Sequence, residues 1–410
     1  MPRRSSPVSC SVRSFYAPSD VEHGGKAMIE VAGRGRSSFA AYANGGEFSA
    51  VQRLPAGGSA TEVLRQIYAS GLRGCGGSHL PLARKWQAAI PYAPRYLVVN
   101  GLEGEPDTFK DYFLLRDYPQ VVLEGIAISC RVLGVHEVYL VINAAYRDCL
   151  AALEAVWQQH AGEFADIKLH LLTGPEVDLY VVGEETALLN YIEGKRGEPR
   201  LKPPFPHQCG LWGQPTIVNN VETLSWIPIL LTDATRFSGQ HPKLVTLLGE
   251  VAAPGIYEVT LGQPLHDILQ QAQPEELSFV EIGGISGGLV PAARLDVAYA
   301  DEALRPLGVQ VGAGTLRVFG HGCDPVAEVV RALQFFQAES CGRCTPCRVG
   351  TQELARFAQA LQDGDVSAED QHWAHRVAAA MQHSSTCGLG RAAPVPLLSY
   401  LHHFAEPQDD

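Results

Sequence analysis

The sequence predicts a chain in three parts: an α/β layered domain over 59–238, a small β-rich domain over 239–322 and a helical region over 323–410. Three observations carry this reading. Strand-like and helix-like apolar patterns alternate through the first part, as in sheets covered on both faces. Short strand-like runs with one helix replace them in the second. Four amphipathic helical patterns joined by short loops fill the third and suggest a four-helix bundle. Residues 1–58 are Gly-, Ser- and Ala-rich, have weak periodicity and predict no element.

Composition narrows the function classes. A chain of 410 residues suits two to four domains, since domains run ~100–200 residues. The net charge of −12 argues against a nucleic-acid or anionic-membrane surface. Ten cysteines in so long a chain do not read as a secreted disulfide framework, and the cytoplasm is the expected compartment. The longest apolar stretches, Trp226–Leu231 and Val138–Ile142, fall short of the ~20 residues a spanning helix needs. No apolar region follows M-P-R-R-S-S, so Arg3 and Arg4 read as a solvated terminus. Membrane attachment would then come through partner subunits on the inner face.

In order, Ser59 and Glu62 have capping-box spacing for a helix whose apolar face is Val63, Leu64, Ile67 and Tyr68, with Gly71 at its C-cap. The glycine-rich loop Gly71–Leu80 follows, G-L-R-G-C-G-G-S-H-L. It fails the dinucleotide fingerprint, because His79 stands at the third glycine and a helix, not a strand, precedes it. Either it is a generic loop, or Gly71, Gly74, Gly76 and Gly77 form a backbone cradle complemented by Arg73 and Lys85. Strand Arg95–Val99 then ends in N-G-L-E-G-E-P, and polar groups there (Asn100, Glu103, Glu105) stand where open α/β sheets bind ligands. A helix near Pro119–Leu133, strand Glu137–Ile142, helix Asp148–His160 and strand Ile167–Leu172 complete the alternation.

The stretch Tyr180–Thr223 is dense in chemistry. Glu184 and Glu185 open a helix, where a carboxylate is favoured by the dipole even without a ligand. The basic, proline-rich run G-K-R-G-E-P-R-L-K-P-P-F-P reads as a solvated face or as a grip on an anionic cofactor. Asn219 and Asn220 are donors suited to phosphates or ring carbonyls. After a linker near Thr232–His241 come strands at Leu244–Gly249, Ile256–Leu261, Phe279–Gly283 and Leu316–Gly320, with a helix at Pro264–Ala272. G-G-I-S-G-G at Gly283–Gly288 reads as tight turns.

Asp324 and Pro325 start the first C-terminal helix; the others end near Gly364, begin at Ser367, and span about Pro394–Phe404. Cys341, Cys344 and Cys347 lie between helices one and two, and Cys387 lies between helices three and four. Antiparallel packing would bring both loops to one end. Three closely spaced thiolates plus one remote thiolate is the ligand pattern of a cubane iron–sulfur cluster. Zinc favours two Cys pairs, or Cys pairs with histidines. Cys10, Cys130, Cys149, Cys209 and Cys323 lack ligand spacing and read as buried or incidental, and His402 and His403 as a solvated helix face.

With G-L-R-G-x-G-G, G-E-E-T-A-L, K-P-P-F-P, G-x-P-T-x-x-N-N-V-E-T and S-C-G-x-C-x-P-C-R in this order, the chain resembles the flavin-bearing, NADH-oxidising subunit of respiratory complex I. The diaphorase subunits of NAD-linked hydrogenases and formate dehydrogenases belong to the same family. The resemblance implies an FMN-binding α/β domain, a ubiquitin-like β-grasp domain of the SLBB type, and a helical bundle carrying a 4Fe-4S cluster on Cys341, Cys344, Cys347 and Cys387. FMN would lie against the Gly71–Gly77 loop, with Lys85, Asn100, Glu103, Tyr180, Gly183, Glu184, Asn219, Asn220 and Thr223 around it. NADH would stack over it near Glu185, the candidate catalytic side chain, and near Lys202 and Phe205, with Glu105 facing a ribose. The implied reaction takes hydride from NADH to FMN and then single electrons to the cluster, or runs in reverse to reduce NAD+. The implied partners are a thioredoxin-like 2Fe-2S subunit and a downstream iron–sulfur, hydrogenase or formate dehydrogenase subunit.

The sequence departs from that family at three places. Cys75 stands where the family usually has arginine, His79-Leu80 where it has Gly-Phe, and Leu102 where it has aspartate. These departures leave a second reading open, a flavin or iron–sulfur relay or assembly subunit that does not use NADH. Cys75 itself reads either as a small substitute in the loop or as a redox-active thiol beside the flavin.

Overall fold

The computed structural model describes residues 33–34, 37–45, 48–54, 60–177, 179–233 and 241–405. Ser59, Arg3, Arg4, Cys10 and most of the expected linker lie outside them. Strand β1 (Gly33–Arg34) belongs to the second of two sheets. The first sheet is all parallel, with β2 (Tyr96–Gly101), β3 (Glu137–Ile142), β4 (Lys168–Thr173) and β5 (Thr216–Asn220) in the order β4-β3-β2-β5. The chain winds from β2 out to β4 and then returns to the other side of β2. The order therefore reverses between β2 and β5, and open α/β sheets bind ligands beyond the carboxyl ends of strands at such a point. Asn100 and Asn220 are paired in register at those ends.

Alternation along β2 assigns its two faces. Leu97 and Val99 enter one core with the helices Pro119–Leu133 and Val221–Thr232, whereas Tyr96 and Val98 enter another with Val181, Leu188 and Leu189. That second core continues into the C-terminal helices through Val329, Leu333, Phe336, Leu354 and Met381, and Cys347 belongs to it. The cysteine loops are thus packed against the back of the parallel sheet. The helices Ser38–Asn44 and Ser49–Arg53 also join the first core through Phe39, Ala50 and Val51, although the sequence there predicts no element. Buried Glu124 anchors the second of them by accepting the Ala50 and Val51 N–H groups at 2.8 and 2.9 Å.

The second sheet contains β6 (His241–Gly249), β7 (Gly255–Leu261), β8 (Phe279–Ile282), β9 (Gly288–Pro291) and β10 (Thr315–Phe319), in the order β1-β7-β6-β10-β8-β9. β6 pairs antiparallel with β7 and parallel with β10, and the helix Leu265–Gln270 packs its Leu265, Ile268 and Leu269 into the core of this sheet. The C-terminal region holds the helices Pro325–Ala338, Thr345–Asp363, Ala368–Ser384 and Val395–His403, with a short helix Gly388–Ala392 before the last. The expected caps form: Asp324 accepts the Val326 N–H, and Ser367 and Asp370 make a reciprocal capping box. His403 departs from the expected solvated face. Its ring Nε2 donates to the Leu307 carbonyl at 2.8 Å, because the last helix packs against the β-domain. Among the described residues, no helix is long and apolar enough to cross a membrane.

Candidate functional site

A cavity of ≈440 Å³ opens beyond the carboxyl ends of β2 and β5, within the ~300–1,000 Å³ usual for cofactor sites. Gly74, Gly76, Gly77, Lys85, Asn100, Glu103, Glu105, Tyr180, Gly183, Glu184, Glu185, Asn219, Asn220 and Thr223 all line it. Gly71, Arg73, Lys202 and Phe205 do not. Gly71 ends the helix Ala60–Ser70 at φ +71, where a Cβ would collide with the His241 ring. Phe205 is exposed and stacks on His207, and Lys202 lies outside the lining, bonded to Glu184 at 2.8 Å and Glu185 at 2.7 Å.

The glycine loop behaves as a cradle. Gly77, at φ +105, has nothing within 4 Å of the place a Cβ would take, and a Cβ at Gly76 would press on Asn220 at 3.3 Å. The three departures sort by where they point. Leu80 lines the cavity and is half exposed. Leu102 is fully buried in the core behind the sheet and does not reach the cavity. Cys75 is buried in the other core, where burial pushes its thiol up to about 12 and disfavours the thiolate. Cys75 holds the loop instead: its N–H donates to Thr223 Oγ1 at 2.8 Å, and its carbonyl accepts from Lys243 at 3.2 Å.

Polar side chains around the cavity hold one another in place. Asn100 Nδ2 donates to the Gly183 carbonyl at 2.8 Å, and Asn219 Oδ1 accepts from the Trp86 indole at 3.0 Å. Glu184 caps the helix Glu185–Ile192 by accepting the Thr186 and Ala187 N–H groups. Burial raises the Glu185 carboxyl, but the Lys85 and Lys202 charges outweigh it and hold the group below its ordinary value. Glu105 is the reverse case. Burial raises it to about 7, despite hydrogen bonds from the Ser286 N–H and Oγ at 3.0 and 2.7 Å.

Sequence reasoning missed three contributors. Lys110 lines the cavity floor, almost wholly buried, between Asp111 at 2.8 Å and Glu222 at 3.2 Å. Asp111 accepts the Asn220 amide at 2.6 Å. Ser286, in the turn between β8 and β9, carries the second sheet into the site. The basic run is mostly engaged within the protein: Arg200 bonds Glu193, Asn190 and the Gly210 carbonyl, and Arg196 donates to the Cys341 carbonyl at 2.7 Å.

Cys341, Cys344, Cys347 and Cys387 line a single pocket with Val181, Pro199, Arg343 and Leu389. Cys344 is the N-cap of the helix Thr345–Asp363, and Cys387 that of Gly388–Ala392. Burial raises Cys344, but the Thr386 and Cys347 backbone N–H groups aim at its sulfur and hold it below the ordinary thiol value. Among the described residues, no carboxylate or histidine lines the pocket, so the soft donors there are thiols. Among the described residues, no three His, Cys, Asp or Glu side chains converge as ligands of a lone metal ion. Thiols spread around a pocket suit the corners of a multi-iron group better than one zinc, whose bonds are only ~2.3 Å long. Val181, Cys387 and Leu389 line both this pocket and the larger cavity, which therefore share a wall. Of the remaining cysteines, Cys130 and Cys149 are buried and Cys209 is exposed. Cys323 is half-buried, its sulfur 3.4 Å from Glu250 Oε1.

Residues 67–229 match the family model of the Nuo51 FMN-binding domain, and residues 327–409 that of the NADH-ubiquinone oxidoreductase-F iron-sulfur binding region. The F-type subunit of the NADH-quinone oxidoreductase of Aquifex aeolicus (strain VF5) is 33% identical over 366 residues, 85% of each chain. The second F-type subunit of the same enzyme in Rhizobium meliloti (strain 1021) is 32% identical over 388 residues, 88% of this chain and 91% of its own. A crystal structure of an NAD+-reducing NiFe-hydrogenase in the H2-reduced state superposes with a TM-score of 0.85 at 34% identity, covering 93% of this chain and 69% of that one. The chain belongs to the family of NADH-quinone oxidoreductase F-type subunits.

Proposed function

We propose that the protein is an NADH-oxidising flavoprotein subunit of a larger redox complex, an oxidoreductase that holds FMN in the larger cavity and a 4Fe-4S cluster on Cys341, Cys344, Cys347 and Cys387. The wall shared by the two cavities, Val181, Cys387 and Leu389, carries the reading, because it sets the glycine-lined cavity and the cysteine pocket side by side. FMN bound there would supply hydride exchange with the nicotinamide and single-electron exchange with the cluster, in either direction. The chain's own residues bind and orient. The glycine cradle admits a flat or phosphorylated group to backbone contact, and Lys85 and Lys110 supply positive charge. Thr386 and Cys347 N–H groups favour the charged form of the Cys344 sulfur.

The division into an FMN domain (59–238), an SLBB-type β-grasp (239–322) and a four-helix bundle (323–410) is part of this proposal. The β6–β7 hairpin, the helix Leu265–Gln270 and the central parallel β10 support the β-grasp reading. The partners are protein subunits, a thioredoxin-like 2Fe-2S subunit and a downstream redox subunit, and the setting is cytoplasmic, with any membrane contact made through them. Cys75 and Leu102 are buried outside the lining, so among the departures Leu80 is the side chain at the cavity wall. Purified protein reconstituted with FMN and cluster is expected to lose flavin absorbance on adding NADH and to reduce ferricyanide. Reconstituted protein that does neither overturns the reading.

A further inference from the structure

His79 sits in the glycine loop with φ +49, a conformation strained for any residue with a side chain. It is 8% exposed and reaches out of its own domain. Nδ1 lies 2.6 Å from Asp301 Oδ2, and Nε2 lies 3.0 Å from the Gly312 carbonyl. A backbone carbonyl only accepts, and so does an ionised carboxylate. Burial raises the Asp301 carboxyl, but hydrogen bonds from His79 and the Val311 N–H, with the nearby Arg73 charge, hold it below its ordinary value. The ring therefore bridges two acceptors of one segment, the Asp301 carboxylate and the Gly312 carbonyl.

The clamp joins opposite walls of the cavity. Ser78 and Leu80 flank His79 and line the cavity from the glycine loop, while Gln310, Gly312 and Ala313 line it from the second sheet's domain. Gly312 is also pressed against the turn that carries Ser286 to Glu105, since a Cβ on it would stand 2.6 Å from the Gly283 carbonyl. One histidine thus fixes the loop and, through Gly312, the turn facing it.

We propose that His79 is a positioning residue: its ring clamps the glycine loop to the Asp301–Gly312 segment, so that the domain of the second sheet forms a permanent wall of the cofactor site. The cofactor consequence rests on the FMN reading above; the clamp itself does not. The test compares full-length wild type with His79→Leu and Asp301→Asn, the second removing the charge with little change of shape. Hydrogen exchange of residues 72–80 and 308–314, measured on cofactor-free protein, is expected to quicken at least 10-fold in both variants. Exchange in the helix Thr345–Asp363 and the iron content after reconstitution are expected to hold. FMN titrated into the same proteins should bind at least 10-fold more weakly. In protein carrying ring-15N histidine, the pair of signals lost in His79→Leu should also move in Asp301→Asn.

Exchange within twofold of wild type in both variants, His79 ring signals unmoved by Asp301→Asn, or equal loosening of the cluster helices each overturns the clamp. Wild-type protein that binds no FMN would sink the functional reading instead, while the exchange data still decide the clamp.

Discussion

At the cysteine pocket, the candidate ligands are four thiols in two loops that run into helix starts, with apolar side chains behind them and Arg343 as the one charged side chain of the lining among the described residues. Across the shared wall the situation is inverted. The cavity is lined by carboxylates, amides and lysines, and most of those described already hold one another: Asn220 on Asp111, Lys110 between Asp111 and Glu222, Glu185 between Lys85 and Lys202. The first site is pre-arranged by helix geometry and waits for soft ligand bonds. The second is pre-arranged by a polar network in a low-dielectric setting, where losing one partner leaves another group buried and unpaired. Substitutions should therefore act on occupancy at one site and on stability at the other.

The largest effect is expected at the wall itself. Cys387→Ser removes the remote thiol, and the reconstituted protein should lose the cluster's iron and sulfide together with its visible absorbance; a chemical assay finding full occupancy would break the contrast. Lys110→Met comes next. It takes the cation from Asp111 and leaves Glu222 to Lys243 at 3.5 Å, both carboxylates being almost wholly buried, and removing one partner of a buried pair costs ~3–5 kcal/mol. Urea unfolding of the cofactor-free chain would measure this, and a loss below ~1 kcal/mol would mean that the carboxylates relax to water.

Glu105 sharpens the comparison through pH. Its folded-state value of about 7 lies above the ordinary 4.5, so the folded chain holds the extra proton between those values. Stability therefore falls as pH rises through that window, by ~3 kcal/mol from this group. Glu105→Gln should flatten that decline, read as a smaller difference in melting temperature between pH 5 and pH 8 than wild type shows. The smallest effect is expected at Cys75. Native protein treated with iodoacetamide should stay unmodified there by mass spectrometry while exposed Cys209 reacts.

Much of the architecture is legible in the sequence because local signals agree with the final fold. The caps at Asp324 and Ser367, the glycine ends at Gly71 and Gly364, and the strand Glu137–Ile142 form as their residues dictate. β5 is not legible. Thr216–Asn220 is short and almost entirely buried, follows a proline-rich run, and ends in two asparagines that read as ligand donors rather than strand. The helix after it contains Pro228 and an almost uniformly apolar face, so no helical period announces it. At the site, the motif residues are legible, but their partners are not. Ser286 meets Glu105 across 181 positions, and His79 meets Asp301 across 222. No local pattern encodes such pairings; only the sheet order and domain packing create them.

The wall of Val181, Cys387 and Leu389 also bears on how the protein matures. Cys387 and Leu389 sit in one turn at the start of a short helix. The Thr386 N–H already joins that turn to the Cys344 sulfur, and the cluster's fourth bond would add a covalent tie. On the proposed assignment, a chain that has lost its cluster should therefore hold its flavin less tightly.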